Sequence, residues 1–130
     1  MKNIMIKNFL IISCIGKDDK LGLRINKDFF VHIIKHKDNN EHLVAEIITF
    51  LNNHKVKLEE NFSIIINQGP GSFSGTRISL AIAKGLVISK KIKLFGYKSA
   101  DLEAFNQENV EKLIQKNLIE KKLIKPIYLS

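Results

Sequence analysis

The stretch Gly69-Pro70-Gly71-Ser72-Phe73-Ser74-Gly75-Thr76-Arg77 carries the residue types most suited to binding chemistry in this sequence. Its glycines fall between an apolar run that reads as a strand and a long helical pattern. A glycine-rich turn feeding a helix presents backbone N–H groups and the positive end of the helix dipole, which together favour an anion. Two features weaken a nucleotide reading. No lysine follows Gly75, so the residue that reaches terminal phosphates in a Walker A loop is missing. The spacing matches a dinucleotide fingerprint only loosely, and Pro70 stiffens the turn. The competing reading is a tight turn that needs glycine at special backbone angles. Ser72 and Ser74 carry hydroxyls, but the sequence supplies no base beside them, and Ser74 reads as a helix N-cap. His36, His42 and His54 are scattered and read as surface residues. No CxxC, HExxH or His/Cys cluster offers a metal site. No catalytic residue, cofactor or metal is expected.

Placing that turn requires a strand before it and a helix after it. Three strands come first, at about 9–15, 20–25 and 29–35, separated by short polar turns and forming an antiparallel meander. The apolar run 9–15, following a basic start, also has the makings of a short secretory signal. Its β-branched residues and the hairpin partner at 20–25 favour the strand. A helix over 39–53 follows, with Asp38 as its cap and Glu41 completing a capping box. A central strand at 62–67, the turn at 68–75, a helix at about 75–90 and a strand at 93–97 come next. A short helical turn then runs to Phe105, and a helix spans 106 to about 121 with Val110, Leu113, Ile114 and Leu118 on one face. Ile127, Tyr128 and Leu129 form a final strand candidate. The order βββαβαβ predicts an α/β ribonuclease-H-like or actin-like half domain: a mixed five-stranded sheet with helices on its faces. The expected division is 1–105 for that half domain and 106–130 for a short helix and tail.

The 75–90 helix is apolar around nearly its whole circumference, so it must be covered on most sides. Gly75, Ser79 and Ala83 recur every four positions and would let another helix approach closely. What the sheet and the 39–53 helix leave uncovered is either a partner interface or internal contact with the C-terminal helix.

The composition is that of an ordinary globular chain of 130 residues, with 45% hydrophobic and 26% charged residues. A net charge of +8 invites a nucleic-acid reading. Only Arg24 and Arg77 among 21 basic residues are arginine, and the excess of Lys, Ile and Asn reads as A/T-rich codon usage. Lys90, Lys91 and Lys93 form the densest basic stretch, a solvated helix end or a tRNA contact. Cys14 is the single cysteine, which excludes an internal disulfide and fits a reducing cytoplasm. No apolar run reaches the length of a membrane helix.

The stretch from Gly69 to Leu86, GPGSFSGTRISLAIAKGL, resembles the signature of the TsaB family of the tRNA threonylcarbamoyladenosine machinery. The later turn from Tyr97 to Ala104 (YKSADLEA) resembles the family's second motif, and the resemblance spans about 9–105. It implies an actin-like fold without catalysis and docking on a TsaD-type paralogue through the 39–53 and 75–90 helices. A TsaE-type ATPase would join the pair, tRNA would be met only indirectly, and a homodimer through the same helices is also expected. The contacts so implied are Glu41, Leu43, Ile47, Gly69, Gly71, Ser72, Phe73, Gly75, Arg77, Ser79, Ala83 and Leu86. The family's Asp-Thr-Ser-like end of the first strand is Ser13-Cys14-Ile15 here, which removes the Asp that nucleotide binding or two-metal chemistry would need. The family's second half is expected to be replaced by the 25 residues after Phe105. A nucleotide-binding protein using the 68–75 turn and a homodimeric interaction module remain the alternatives.

Overall fold

The computed structural model describes residues 7–16, 18–35, 40–59, 61–90, 92–121 and 124–127, with the backbone alone at Asn40, Glu41, Phe73 and Ser74. His36, the cap Asp38, Lys91 and the strand candidates Tyr128 and Leu129 lie outside the described residues, as do the side chains of Glu41, Phe73 and Ser74.

Five strands make one sheet: β1 (Asn8–Ser13), β2 (Lys20–Ile25), β3 (Asp28–Ile33), β4 (Phe62–Asn67) and β5 (Lys93–Tyr97). Their spatial order is β3-β2-β1-β4-β5. The first three pair antiparallel as hairpins. β4 then lies parallel to β1, and β5 parallel to β4. Helices α1 (Asn40–Asn53) and α2 (Phe73–Lys90) provide the crossovers that parallel pairing demands. A 3-10 turn (Ser99–Asp101) and helix α3 (Gln107–Gln115) follow. This is the mixed ribonuclease-H-like sheet that the element order predicts.

Alternation along the strands divides the core in two. Leu10, Ile12, Leu21, Leu23, Ile64 and Ile66 point to the face covered by α1 and α2. Phe9, Ile11, Ile65, Phe95 and Tyr97 point to the other face, where Val110 and Leu113 of α3 and Ile119 beyond it close over them. β4 is buried on both sides, as its unbroken FSIIIN run requires. β1 is a central strand, buried from Phe9 to Ile12.

Helix ends account for the main departures from the sequence reading. α3 stops at Gln115, not near Lys121, because Asn117 turns left-handed at φ 60°. The Leu118 amide donates to the Leu113 carbonyl and that of Asn117 to Ile114, a Schellman closure. Leu118 therefore leaves the helix face assigned to it and is exposed. α1 ends the same way, with Lys55 left-handed at φ 56° and the Val56 amide on the Leu51 carbonyl. At the other end of α3, the Asn106 side chain accepts from the Asn109 amide and caps the helix. Ile127 is not in a strand; its amide donates to the Gln68 carbonyl.

Candidate functional site

The glycine-rich turn leaves the carboxyl end of β4 and enters α2 at Phe73, two residues earlier than the pattern suggests. Ser72, not Ser74, stands at the N-cap: its Oγ accepts from the Gly75 amide at 3.2 Å. The Ser72 amide donates to the Ile15 carbonyl at 2.7 Å, and the Thr76 amide to the Ser72 carbonyl. The Gly69 amide donates to Asn67 Oδ1 at 2.8 Å. Several of the donors an anion would use are thus bonded within the chain.

Close approach explains the glycines. A Cβ on Gly71 would strike Ile15, and one on Gly75 would lie 2.7 Å from Ser72 Oγ and 3.0 Å from the Cys14 carbonyl oxygen. Gly69 has φ +102°, a region that glycine enters without penalty. The turn is packed onto the β1–β2 connection, with Ser72 against Gly16. These contacts are those of the tight-turn reading.

A small polar cluster sits beside the turn, at the ends of the three parallel strands. Asn67 Nδ2 donates to Ser13 Oγ at 3.1 Å. The Tyr97 hydroxyl lies next to both side chains yet makes no well-formed hydrogen bond. Burial pushes its phenol well above the usual value. A carboxylate on β1 would be the metal-binding group of this corner, and Ser13 stands there instead. Among the described residues no group of three or more His, Cys, Asp or Glu side chains converges on a metal position. No described helix is long and apolar enough to cross a membrane. A hollow of about 500 Å³ lies at the far end of the sheet around Asn8, Lys55, Lys57 and Asn61. None of its polar side chains is buried, so nothing in it aims at a ligand.

The two helices place the expected contact residues unevenly. Leu43 and Ile47 of α1, and Ser79 and Ala83 of α2, are buried within the chain. They hold the helices against the sheet within this chain. The small row Ser79 and Ala83 faces inward with Thr76 and Leu80 because small side chains let α2 approach the sheet closely. Ser79 satisfies its own hydroxyl on the Thr76 carbonyl at 3.2 Å. Leu86 is half-buried and packs on the core margin. Arg77 is exposed. α3 covers the opposite face of the sheet, so α2 owes it no cover. The open side of the pair carries Val44 and Ile48 of α1 and Ala81, Gly85 and Ile88 of α2. Ile88 is 79% exposed, and a Cβ on Gly85 would meet nothing within 4 Å. Sequence reasoning missed this row because both sides of α2 are apolar. The distinguishing signal was the pair Thr76 and Ser79, hydroxyls that helix geometry places together on the inner face.

No family model matches the chain. The sequence is 29% identical over 89 residues to the "tRNA threonylcarbamoyladenosine biosynthesis protein TsaB" of Buchnera aphidicola subsp. Schizaphis graminum, covering 66% of this chain and 42% of that protein. It is 26% identical over 113 residues to the protein of the same name from Buchnera aphidicola subsp. Acyrthosiphon pisum, covering 85% and 50%. Among solved structures, YeaZ from Pseudomonas aeruginosa superposes with a TM-score of 0.63 at 20% identity, over 74% of this chain and 45% of that one. The chain is thus similar to TsaB proteins in sequence and to YeaZ in fold. It spans half or less of the length of the curated TsaB proteins it matches. The glycine-rich turn is, in this TsaB-like chain, a structural joint between β1, β4 and α2.

Proposed function

We propose that this chain is a non-catalytic TsaB-type subunit that docks on a TsaD-type paralogue through the open side of α1 and α2. It would thereby support that partner's transfer of a threonylcarbamoyl group to the tRNA adenosine beside the anticodon. The observation that carries the reading is the exposure of apolar and small residues on both helices, Val44 and Ile48 of α1 and Ala81, Gly85 and Ile88 of α2, in a fold whose other helix serves the opposite face. Exposed apolar side chains grouped on helix faces mark partner surfaces. The names of the curated relatives supply the process. The absence of chemistry is supported by the donors of the 68–75 turn being bonded internally. A TsaE-type ATPase would meet the assembled pair, and tRNA would be reached through the partner. A homodimer through the same helices would compete with docking.

Co-expression with the TsaD-type protein of the same genome, followed by size-exclusion chromatography with light scattering, tests the reading. A one-to-one complex that Ile88→Asp disrupts, with the variant still folded, supports it. Separate elution of two folded proteins, with and without tRNA and the ATPase, overturns it.

A further inference from the structure

We propose that the outer edge of β3 pairs with the same edge of a second copy, joining two sheets into one across a twofold axis at Val31. β3 ends the strand order, and among the described residues no strand lies beyond it. The direction of its peptide groups follows from the register. The Ile34 amide donates to the Asp19 carbonyl at 3.0 Å, and this pair continues the β2–β3 alignment. Bonded and non-bonded pairs alternate along an antiparallel ladder. Asp28, Phe30 and His32 therefore turn their peptide groups to β2, while Phe29, Val31 and Ile33 turn theirs outward.

Groups flanking that triplet are already bonded. The Lys27 carbonyl accepts from Gln107 Nε2 at 2.9 Å, and the Lys35 amide donates to Glu46 Oε1 at 3.2 Å. The opposite edge of the sheet is closed as well: Gly96 of β5 exchanges both backbone hydrogen bonds with Glu120. Sheet edges are templates for a further strand, and proteins guard them with charges, proline or a covering segment. Among the described residues the outward triplet has none of these, and Val31 and Ile33 are 47% and 63% exposed.

A second copy is the occupant that the triplet itself fits. With Val31 opposite its own counterpart, Phe29 comes opposite Ile33, and every outward N–H and C=O of the three residues meets a partner. The side chains brought together on that face are all apolar. On the other face Phe30 comes opposite His32, and the like charges Lys27 and Lys35 meet only beyond the triplet, at the two ends of the seam. The joined sheet would end on both sides in β5, each closed by its own Glu120, so association stops at the dimer. This surface is distinct from the exposed side of α1 and α2.

The test is the mass of the chain alone over a wide concentration range, beside Val31→Pro and Val31→Lys. The unmodified chain is expected to reach twice its 14.8 kDa. Val31→Pro removes an outward N–H without touching the β2 ladder. Val31→Lys places a charge on the seam, and serves if the proline variant fails to fold. Both variants are expected to stay monomeric with unchanged circular dichroism. Amide exchange at Phe29, Val31 and Ile33 should be slow in the dimer and fast in the variants. A chain that is monomeric at every concentration overturns the proposal. So does a dimer that both variants leave intact, fast exchange at those three amides within the dimer, or a dimer that only Ile88→Asp dissociates.

Discussion

Gly16 and Ser72 touch across the two loops at the top of the sheet: a Cβ on Gly16 would lie 2.7 Å from Ser72 Oγ. One loop joins β1 to β2, the other leads from β4 into α2, and the contact locks them together. Gly16 also has φ +93°. Gly16→Ala should therefore destabilise the chain by about 1–3 kcal/mol, from strain and collision together. Gly75→Ala should cost stability too, although alanine normally favours a helix, because its Cβ would meet both Ser72 and the Cys14 carbonyl. Denaturant melts read both. In the same preparation, calorimetric titration with ATP or ADP should give no saturable heat, since several of the turn's donors are bonded within the chain.

The inward and outward faces of α2 separate folding from docking. Ala83 is fully buried, so Ala83→Glu should cost about 3 kcal/mol or more as a carboxylate is taken from water without a partner. Ile88 is bare, so Ile88→Asp should change stability by no more than about 0.5 kcal/mol. Thermal melts of the two variants should differ clearly, and an unchanged melt for Ala83→Glu would place that face of α2 in solvent.

Tyr97 gives the fold an alkaline limit. Its phenol is held above the ordinary value by burial, so the folded chain keeps a proton that the unfolded chain releases above pH about 10. The unfolded state then binds fewer protons, and stability falls with rising pH by up to about 1.4 kcal/mol per unit. Tyr97→Phe should remove this limb. It should leave neutral-pH stability within about 1 kcal/mol, because the hydroxyl has no hydrogen bond to lose. Ultraviolet titration should show Tyr97 ionising only on unfolding.

Lys55 is the non-glycine residue at the left-handed end of α1, where the Schellman bonds favour glycine. Lys55→Gly should raise stability by about 0.5–1 kcal/mol, the relief of a crowded Cβ less the added entropy of the unfolded chain. A melt that shifts downward would show that the lysine stem packs usefully there.

These effects mark which parts of the molecule were legible beforehand. The sheet was, because the alternation of β2 and the unbroken apolar runs of β1 and β4 admit few alternatives. The place of the glycine-rich turn was legible too, between β4 and α2. The capping residue was not: Ser72 and Ser74 are both competent caps, and the contact of Ser72 with the β1–β2 loop, remote in sequence, decides between them. The end of α3 was hidden because helical periodicity runs on to Leu118, while a single left-handed Asn117 stops it. The orientation of α2 was hidden because polarity is a weak guide when small side chains, rather than large apolar ones, face the sheet.

The role of α3 yields the last prediction. Its Val110 and Leu113 are almost wholly buried against Phe9, Ile11, Ile65 and Phe95, a face of the sheet that would otherwise meet water. Polar ties fix it to the β2–β3 hairpin: Arg24 pairs with Glu111 at 3.1 Å, and Gln107 bonds the Lys27 carbonyl. The ion pair is partly exposed, so Glu111→Gln should cost no more than about 1 kcal/mol. Leu113→Ala, by contrast, opens a cavity and should cost about 2–5 kcal/mol. A chain cut after Phe105 should expose the whole second face and fail to fold as a soluble monomer. If the cut chain instead melts cooperatively at the temperature of the full chain, residues 106–127 are an appendage, and the second face has another cover. The ordering expected here, a small loss for Glu111→Gln, a large one for Leu113→Ala and collapse on truncation, makes α3 part of the domain's core.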